Sequence, residues 1–169
     1  LTETKDFKIY PEQVSLAPSD SRAIRVVYIG PKDIEQEVAY RIVATQLPVS
    51  FAEETKKTGV KFLYEFVASV YVTSEKFVHK IEIESISRID KENIKVKIVN
   101  KGQKHTLLKY VKIELKDTSG KSLKLDSNVV KDWDSENILS GTRRTYKVKS
   151  SLNFNLNKNP PKIEIQDEI

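Results

Sequence analysis

The sequence predicts an all-β protein built from tandem β-sandwiches. Three observations carry that prediction. Short segments rich in Val, Ile, Tyr and Phe follow one another at roughly 8–12-residue spacing, with turn residues between them. No segment repeats its apolar residues at a helical period. Hydrophobic residues make up 38% and charged residues 31% of the 169, the balance of a soluble globular chain and neither a disordered nor a membrane one.

In chain order, Phe7–Tyr10 reads as a short strand stopped by Pro11. Pro18-Ser19-Asp20 is a turn, and Arg22–Ile29 is a second strand ended by Gly30-Pro31. Val38–Thr45 is a third, closing near Pro48, and the charged stretch 52–59 reads as a loop. Val60 to Val72 is then expected to form one long strand. Val60, Phe62, Tyr64, Phe66, Ala68, Val70 and Val72 share one face at period two, and Lys61, Leu63, Glu65, Val67, Ser69 and Tyr71 share the other. A linker is expected at 73–79. Further strands are expected at Ile81–Ile86, Ile94–Ile98, Leu108–Leu115, Arg144–Val148 and Lys162–Ile165. Turns are expected at Asp90–Asn93, Lys101-Gly102, Ser119-Gly120, Ser140-Gly141 and Asn159-Pro160.

An immunoglobulin-like sandwich takes about seven strands and ~100 residues. Residues 80–169 nearly supply one; residues 1–72 supply about four strands. The expected organisation is therefore two immunoglobulin-like domains, 1–74 and 75–169, the first incomplete. The chain has no Met and no apolar leader at its start, so it reads as a processed chain or an internal fragment lacking its opening strands.

Little in the sequence points to catalysis. Cysteine is absent, which excludes thiolate chemistry. His79 and His105 stand at unrelated positions without metal spacing, and no phosphate-cradling glycine pattern or nucleophile elbow occurs. Glu82 and Glu84 alternate with isoleucines, as on the wet face of a strand. The expectation is a non-enzyme with no cofactor and no metal. The net charge of +5 arises wholly in the second half: residues 1–74 carry 9 Lys/Arg against 10 Asp/Glu, residues 75–169 carry 20 against 14. Those lysines alternate along strands (Lys95/Lys97, Lys109/Lys112, Lys147/Lys149) without interleaved aromatics, which reads as solvated strand faces and not as a nucleic-acid surface.

The feature that remains is the run ending at Val72. A long strand with Phe and Tyr at alternate positions is either a central strand filling its own core or an edge strand added to a partner. In the second case main-chain bonds supply affinity and alternate side chains supply specificity.

Several segments, in order, resemble the periplasmic chaperones of the chaperone–usher pilus pathway. Phe7–Pro18 is similar to the family's strand-turn segment, and Ser21–Gly30 to the arginine-containing strand that follows it. Glu37-Val-Ala-Tyr-Arg-Ile-Val-Ala-Thr-Gln-Leu-Pro48 is similar to the family's Glu-x-x-aromatic strand ending in Leu/Ile-Pro. Asn100-Lys-Gly102-Gln-Lys-His105 resembles an Asn-x-Gly-x-x-His turn of the archaic and alternate branches, and Ile138–Arg144 their Leu-x-Gly-x-x-Arg element. The resemblance implies a Gram-negative periplasmic protein that binds pilus subunits by donor-strand complementation and delivers them to an outer-membrane usher. It implies no membrane insertion and allows a self-capping oligomer without client. It assigns the donor strand to Val60, Phe62, Tyr64, Phe66 and Ala68, and an interdomain contact to Glu37. It departs at the cationic pair that anchors the subunit's terminal carboxylate: the first cation lies in a strand this chain lacks, and Ser69 stands at the second. Arg25, Arg41 and Lys61 are the candidate substitutes. The competing expectation is a structural or adhesive tandem β-sandwich of the cell surface, in which the strand is paired on both sides.

Overall fold

The computed structural model describes residues 2–48 and 62–166. The chain is all-β: twelve strands and two single 3-10 turns, with no α-helix among the described residues. All strand pairs are antiparallel. Contacts divide the chain into two compact units, Leu1–Glu35 and Gln36–Ile169, so the expected linker at 73–79 falls inside the second.

The first unit is a hairpin. β1 (Phe7–Tyr10) pairs with β2 (Arg25–Tyr28), with Phe7 opposite Tyr28 and their rings edge-on at 5.3 Å. Between them the turn at Ala17–Asp20 is closed by the Asp20 amide on the Ala17 carbonyl, with Ser19 at φ 67°. Ile9, Val27, Ile24 and Ile29 are exposed.

The second unit opens with the hairpin of β3 (Val38–Thr45) and β4 (Glu65–Val72). It continues through β5 (Ile81–Arg88), β6 (Asn93–Asn100), β7 (Thr106–Leu107), β8 (Val111–Lys116), β9 (Ser122–Leu125), β10 (Asn137–Ile138), β11 (Arg143–Lys149) and β12 (Lys162–Ile165). Two three-stranded sheets result, in the orders β11-β6-β5 and β12-β8-β9, with β10-β7 as a short third. Period two decides which side chains are buried. On β6, Ile94, Val96 and Ile98 are buried while Lys95 is exposed. On β8, Val111, Ile113 and Leu115 are buried while Lys112 and Lys116 are exposed. The inner residues of both sheets join one core cluster with Leu125, Trp133, Ile138 and Val148. Each such aliphatic side chain contributes about 1.5–3 kcal/mol by leaving water.

Of the alternating lysines, Lys95, Lys109, Lys112, Lys147 and Lys149 are exposed, and Lys97 joins a set of carboxylate–cation pairs on the outer face of its sheet. Glu84 bridges Lys97 and Arg143, both at 2.7 Å, and Glu82 bridges Lys80 at 3.2 Å and Lys101 at 2.7 Å. Hydrogen bonds from these cations hold both carboxyls below the usual glutamate range. Glu114 stands between Lys124 and Lys162 in the register of the other sheet. These exposed pairs are screened and add little stability, but they keep the faces wet.

Two expected strands are corrected. The long strand from Val60 is eight residues, Glu65–Val72; Phe62–Tyr64 precede it, and Val60 and Lys61 lie outside the described residues. Its partner β3 ends at Thr45, and Pro48 soon removes a backbone donor, so the regular ladder stops at Glu65. Leu108–Leu115 is a 3-10 turn, Leu108–Tyr110, followed by β8. The Val111 amide closes the turn on the Leu108 carbonyl, while the Leu108 amide donates to the Glu136 carbonyl and the Leu108 side chain is buried in the core. The two-residue strands β7 and β10 carry too few residues to show a period.

Candidate docking strand and its junction

The β3–β4 ladder runs from Val38 opposite Val72 to Thr45 opposite Glu65. That register puts Ile42 and Ala44 beside Ala68 and Phe66 on one face, and Arg41 and Val43 opposite Ser69 and Val67 on the other. One further backbone bond follows the ladder, from the Gln46 amide to the Tyr64 carbonyl at 2.9 Å. The returning bond is made instead by the Gln46 side chain, whose Oε1 accepts from the Tyr64 amide at 3.3 Å as the chain turns toward Pro48.

Beyond Ser69 the strand is unburied. Phe62 is 71%, Tyr64 58% and Phe66 68% exposed, and Leu63, Val67, Val43 and Leu47 are exposed beside them. Tyr64 and Phe66 lie on one side, their rings near-parallel at 6.3 Å, as period two requires. Among the described residues β4 has β3 along one edge and no strand along the other. A free edge with large apolar side chains is the chemistry of strand addition: it offers unpaired amides and carbonyls together with groups that need pockets. Of the five expected donor residues, Phe62, Tyr64, Phe66 and Ala68 are all exposed. Val60 lies outside the described residues.

Glu37 sits at the opposite end of the hairpin, one residue before β3. Its amide donates to the Gln103 carbonyl at 2.8 Å. Its carboxylate, with the side chain 2% exposed, accepts from the His105 amide at 2.9 Å and lies 2.6 Å from His105 Nδ1. The His105 ring stacks on Tyr71 of β4, centroids 3.9 Å apart and planes within 14°. Asn137 of β10 donates from Nδ2 to the Tyr71 hydroxyl at 2.7 Å.

The turn that carries His105 explains its own sequence pattern. Asn100, fully buried, braces the turn from within: Nδ2 donates to the Lys104 and Ile138 carbonyls, and Oδ1 accepts from the Gly102 amide. Gly102 lies where the linker passes, and a Cβ there would come 2.4 Å from both the Val78 oxygen and the Lys80 nitrogen. Lys101 and Gln103 bond the Lys80 and Val78 carbonyls on either side. Gly141, at φ 70°, donates its amide to the Asn100 carbonyl, which joins the second glycine-containing element to the first. Asn, Gly and His are thus a brace, a close approach and a stacking ring. Tyr71 and Asn137 were not singled out by the sequence. Only the spacing of Tyr71 on the face opposite Phe66 hinted that it serves another purpose.

No family model matches this chain, and neither does any curated protein or solved structure. Among the described residues no group of three His, Asp or Glu could hold a metal ion, and no helix is long and apolar enough to cross a membrane.

Proposed function

We propose that the chain is a periplasmic pilus-assembly chaperone with immunoglobulin-like sandwiches. It holds pilus subunits by donating β4, and the residues before it, to their incomplete fold, then passes them to an outer-membrane usher. The observation that carries this reading is that β4 has a strand along one edge only among the described residues, together with the exposure of Phe62, Tyr64 and Phe66. A subunit lacking its last strand leaves an apolar groove in water, at roughly 25 cal/mol for each Å². Seating Phe62, Tyr64 and Phe66 in that groove, with Ala68 behind them and Val60 ahead by parity, removes both apolar surfaces from water at once. The edge amides of client and chaperone satisfy one another, and the next subunit's strand displaces the chaperone by exchange.

Arg41 fits the missing carboxylate anchor. It is exposed and stands directly opposite Ser69, one strand away from the position where the family carries its second cation. Replacing Arg41 by Glu is expected to weaken subunit capture about tenfold or more, the loss of one hydrogen bond to a charged group. Amidating the subunit's C-terminus should produce the same loss and leave R41E without further effect.

The decisive experiment is periplasmic co-production with a pilus subunit that lacks its final strand, followed by capture through a tag on the chaperone. A one-to-one complex is expected. Phe62→Asp with Tyr64→Asp is expected to abolish it while circular dichroism of the isolated chain stays unchanged, because both positions are already in water. Undiminished capture by that double variant would leave a tandem β-sandwich surface protein as the better account.

A further inference from the structure

We infer that the His105 ring is a clasp that aims the docking strand, gripped at once by both strands of the hairpin it closes. The inference rests on the reading of β4 as the docking strand, but the clasp itself can be tested without a client.

Val38 and Val72 are the final pair of the β3–β4 ladder. Glu37 is the next residue on one strand, and Tyr71 the residue before the pair on the other. These two flanking side chains meet the same imidazole: Glu37 Oε1 lies 2.6 Å from Nδ1, and the Tyr71 ring lies parallel over it at 3.9 Å. A carboxylate fixes a ring's rotation and a stacked ring fixes its tilt, so together they leave His105 one orientation. The grip is reciprocal. His105 belongs to the turn braced by Asn100, and Tyr71 is held from its far side by Asn137, so the strand is tied to two segments of the sandwich. Burial follows the same gradient. Val70, Tyr71 and Val72 are half-buried at this end, while Glu65–Ser69 are exposed. The hairpin is therefore a lever fixed at its base, and His105 with Tyr71 sets the direction in which its free end points.

Amide hydrogen exchange on the intact chain tests the clasp. In His105→Ala and in Tyr71→Leu, exchange through β3 and β4 is expected to quicken roughly tenfold, the scale of losing one charge-assisted hydrogen bond or one stacked pair, while β6 and β8 keep wild-type protection. Tyr71→Phe keeps the stack and loses only the Asn137 bond, so a smaller rise of about threefold is expected. That variant changes one hydroxyl and guards against a misfolded Ala or Leu form. Unchanged exchange in β3 and β4, or an equal rise in β6 and β8, overturns the clasp. In parallel, capture of the strand-deficient subunit is expected to fall about tenfold in His105→Ala and to return in Tyr71→Phe. If exchange rises and capture does not fall, the ring does not aim the strand. If the wild-type chain captures no subunit, the docking reading has failed, and the exchange result alone decides the clasp.

Discussion

Gly102→Ala is expected to lower the melting temperature of this chain by about 5–15 °C. The added methyl has nowhere to go. A Cβ at this position lies 2.4 Å from the Val78 oxygen, 2.4 Å from the Lys80 nitrogen and 2.9 Å from the His79 carbonyl carbon. All three are backbone atoms, so no side-chain rotation relieves the clash. They are held in place by the bonds that the flanking residues make, Gln103 to the Val78 carbonyl at 2.8 Å and Lys101 to the Lys80 carbonyl at 2.7 Å. Relief requires the 78–80 segment to lift away and leave those partners unpaired, at about 1–3 kcal/mol for each buried group. A loss of about 2–5 kcal/mol shifts a chain of this size by about 2–4 °C per kcal/mol. The melt is conveniently followed by fluorescence of Trp133, the single tryptophan. Gly120→Ala and Gly141→Ala are the controls. Both glycines have positive φ (88° and 70°) but no heavy atom within 4 Å of an added Cβ, so only the left-handed backbone penalises them, at about 1 kcal/mol. A Gly102→Ala melt no lower than those of the controls would show that the linker does not bear on the turn.

That contrast also marks how far the sequence could be read. Turn-forming residues announce a turn, so Lys101-Gly102, Ser119-Gly120 and Ser140-Gly141 were legible as such. What the sequence could not convey is that Gly102 is there for a passing backbone and Gly120 for its own dihedral angle. Strand periodicity was legible for the same local reason: β3 and β12 fall where alternation and Pro or Gly punctuation place them. It over-reached at Phe62–Tyr64, because alternation records which side chains would share a face, whereas a strand also needs a partner ladder. It missed the 3-10 turn at Leu108, where the chain bonds the carbonyl of Glu136, 28 positions away. The junction was the least legible part. Glu37 entered by resemblance alone, and Tyr71 and Asn137 meet across 66 residues. A lone His beside a turn gives no sign of which ring will lie over it.

A pair of aromatic truncations separates stability from docking more sharply than any single variant. Trp133→Ala is expected to cost about 3–5 kcal/mol of unfolding free energy, as for other buried large-to-small changes. Trp133 is 1% exposed, sits in the shared core of the two sheets and meets the Tyr146 ring at 5.6 Å, where burial and the Glu136 carboxylate push the Tyr146 hydroxyl well above its usual range. Removing it opens a cavity the sheets cannot close, and in a fold holding about 5–15 kcal/mol in total much of the stability goes with it. Phe66→Ala removes a side chain of the same class from the same unit, but one that is 68% exposed on a strand with a single neighbour among the described residues. Its expected effect on urea-induced unfolding is within about 0.5 kcal/mol, the range of surface substitutions. Its expected effect on capture of a strand-deficient pilus subunit is the reverse. About 1.5–3 kcal/mol of transfer energy is lost when an aromatic no longer fills a pocket, which is a 10- to 150-fold weaker complex. Urea unfolding followed by circular dichroism and a subunit-binding titration, run on both variants, give four numbers. The docking account requires that they cross. Trp133→Ala must lose stability while whatever remains folded still binds, and Phe66→Ala must keep stability and lose binding. If Phe66→Ala instead unfolds as readily as Trp133→Ala, that ring serves the chain's own fold, and β4 is not a strand held out for another protein.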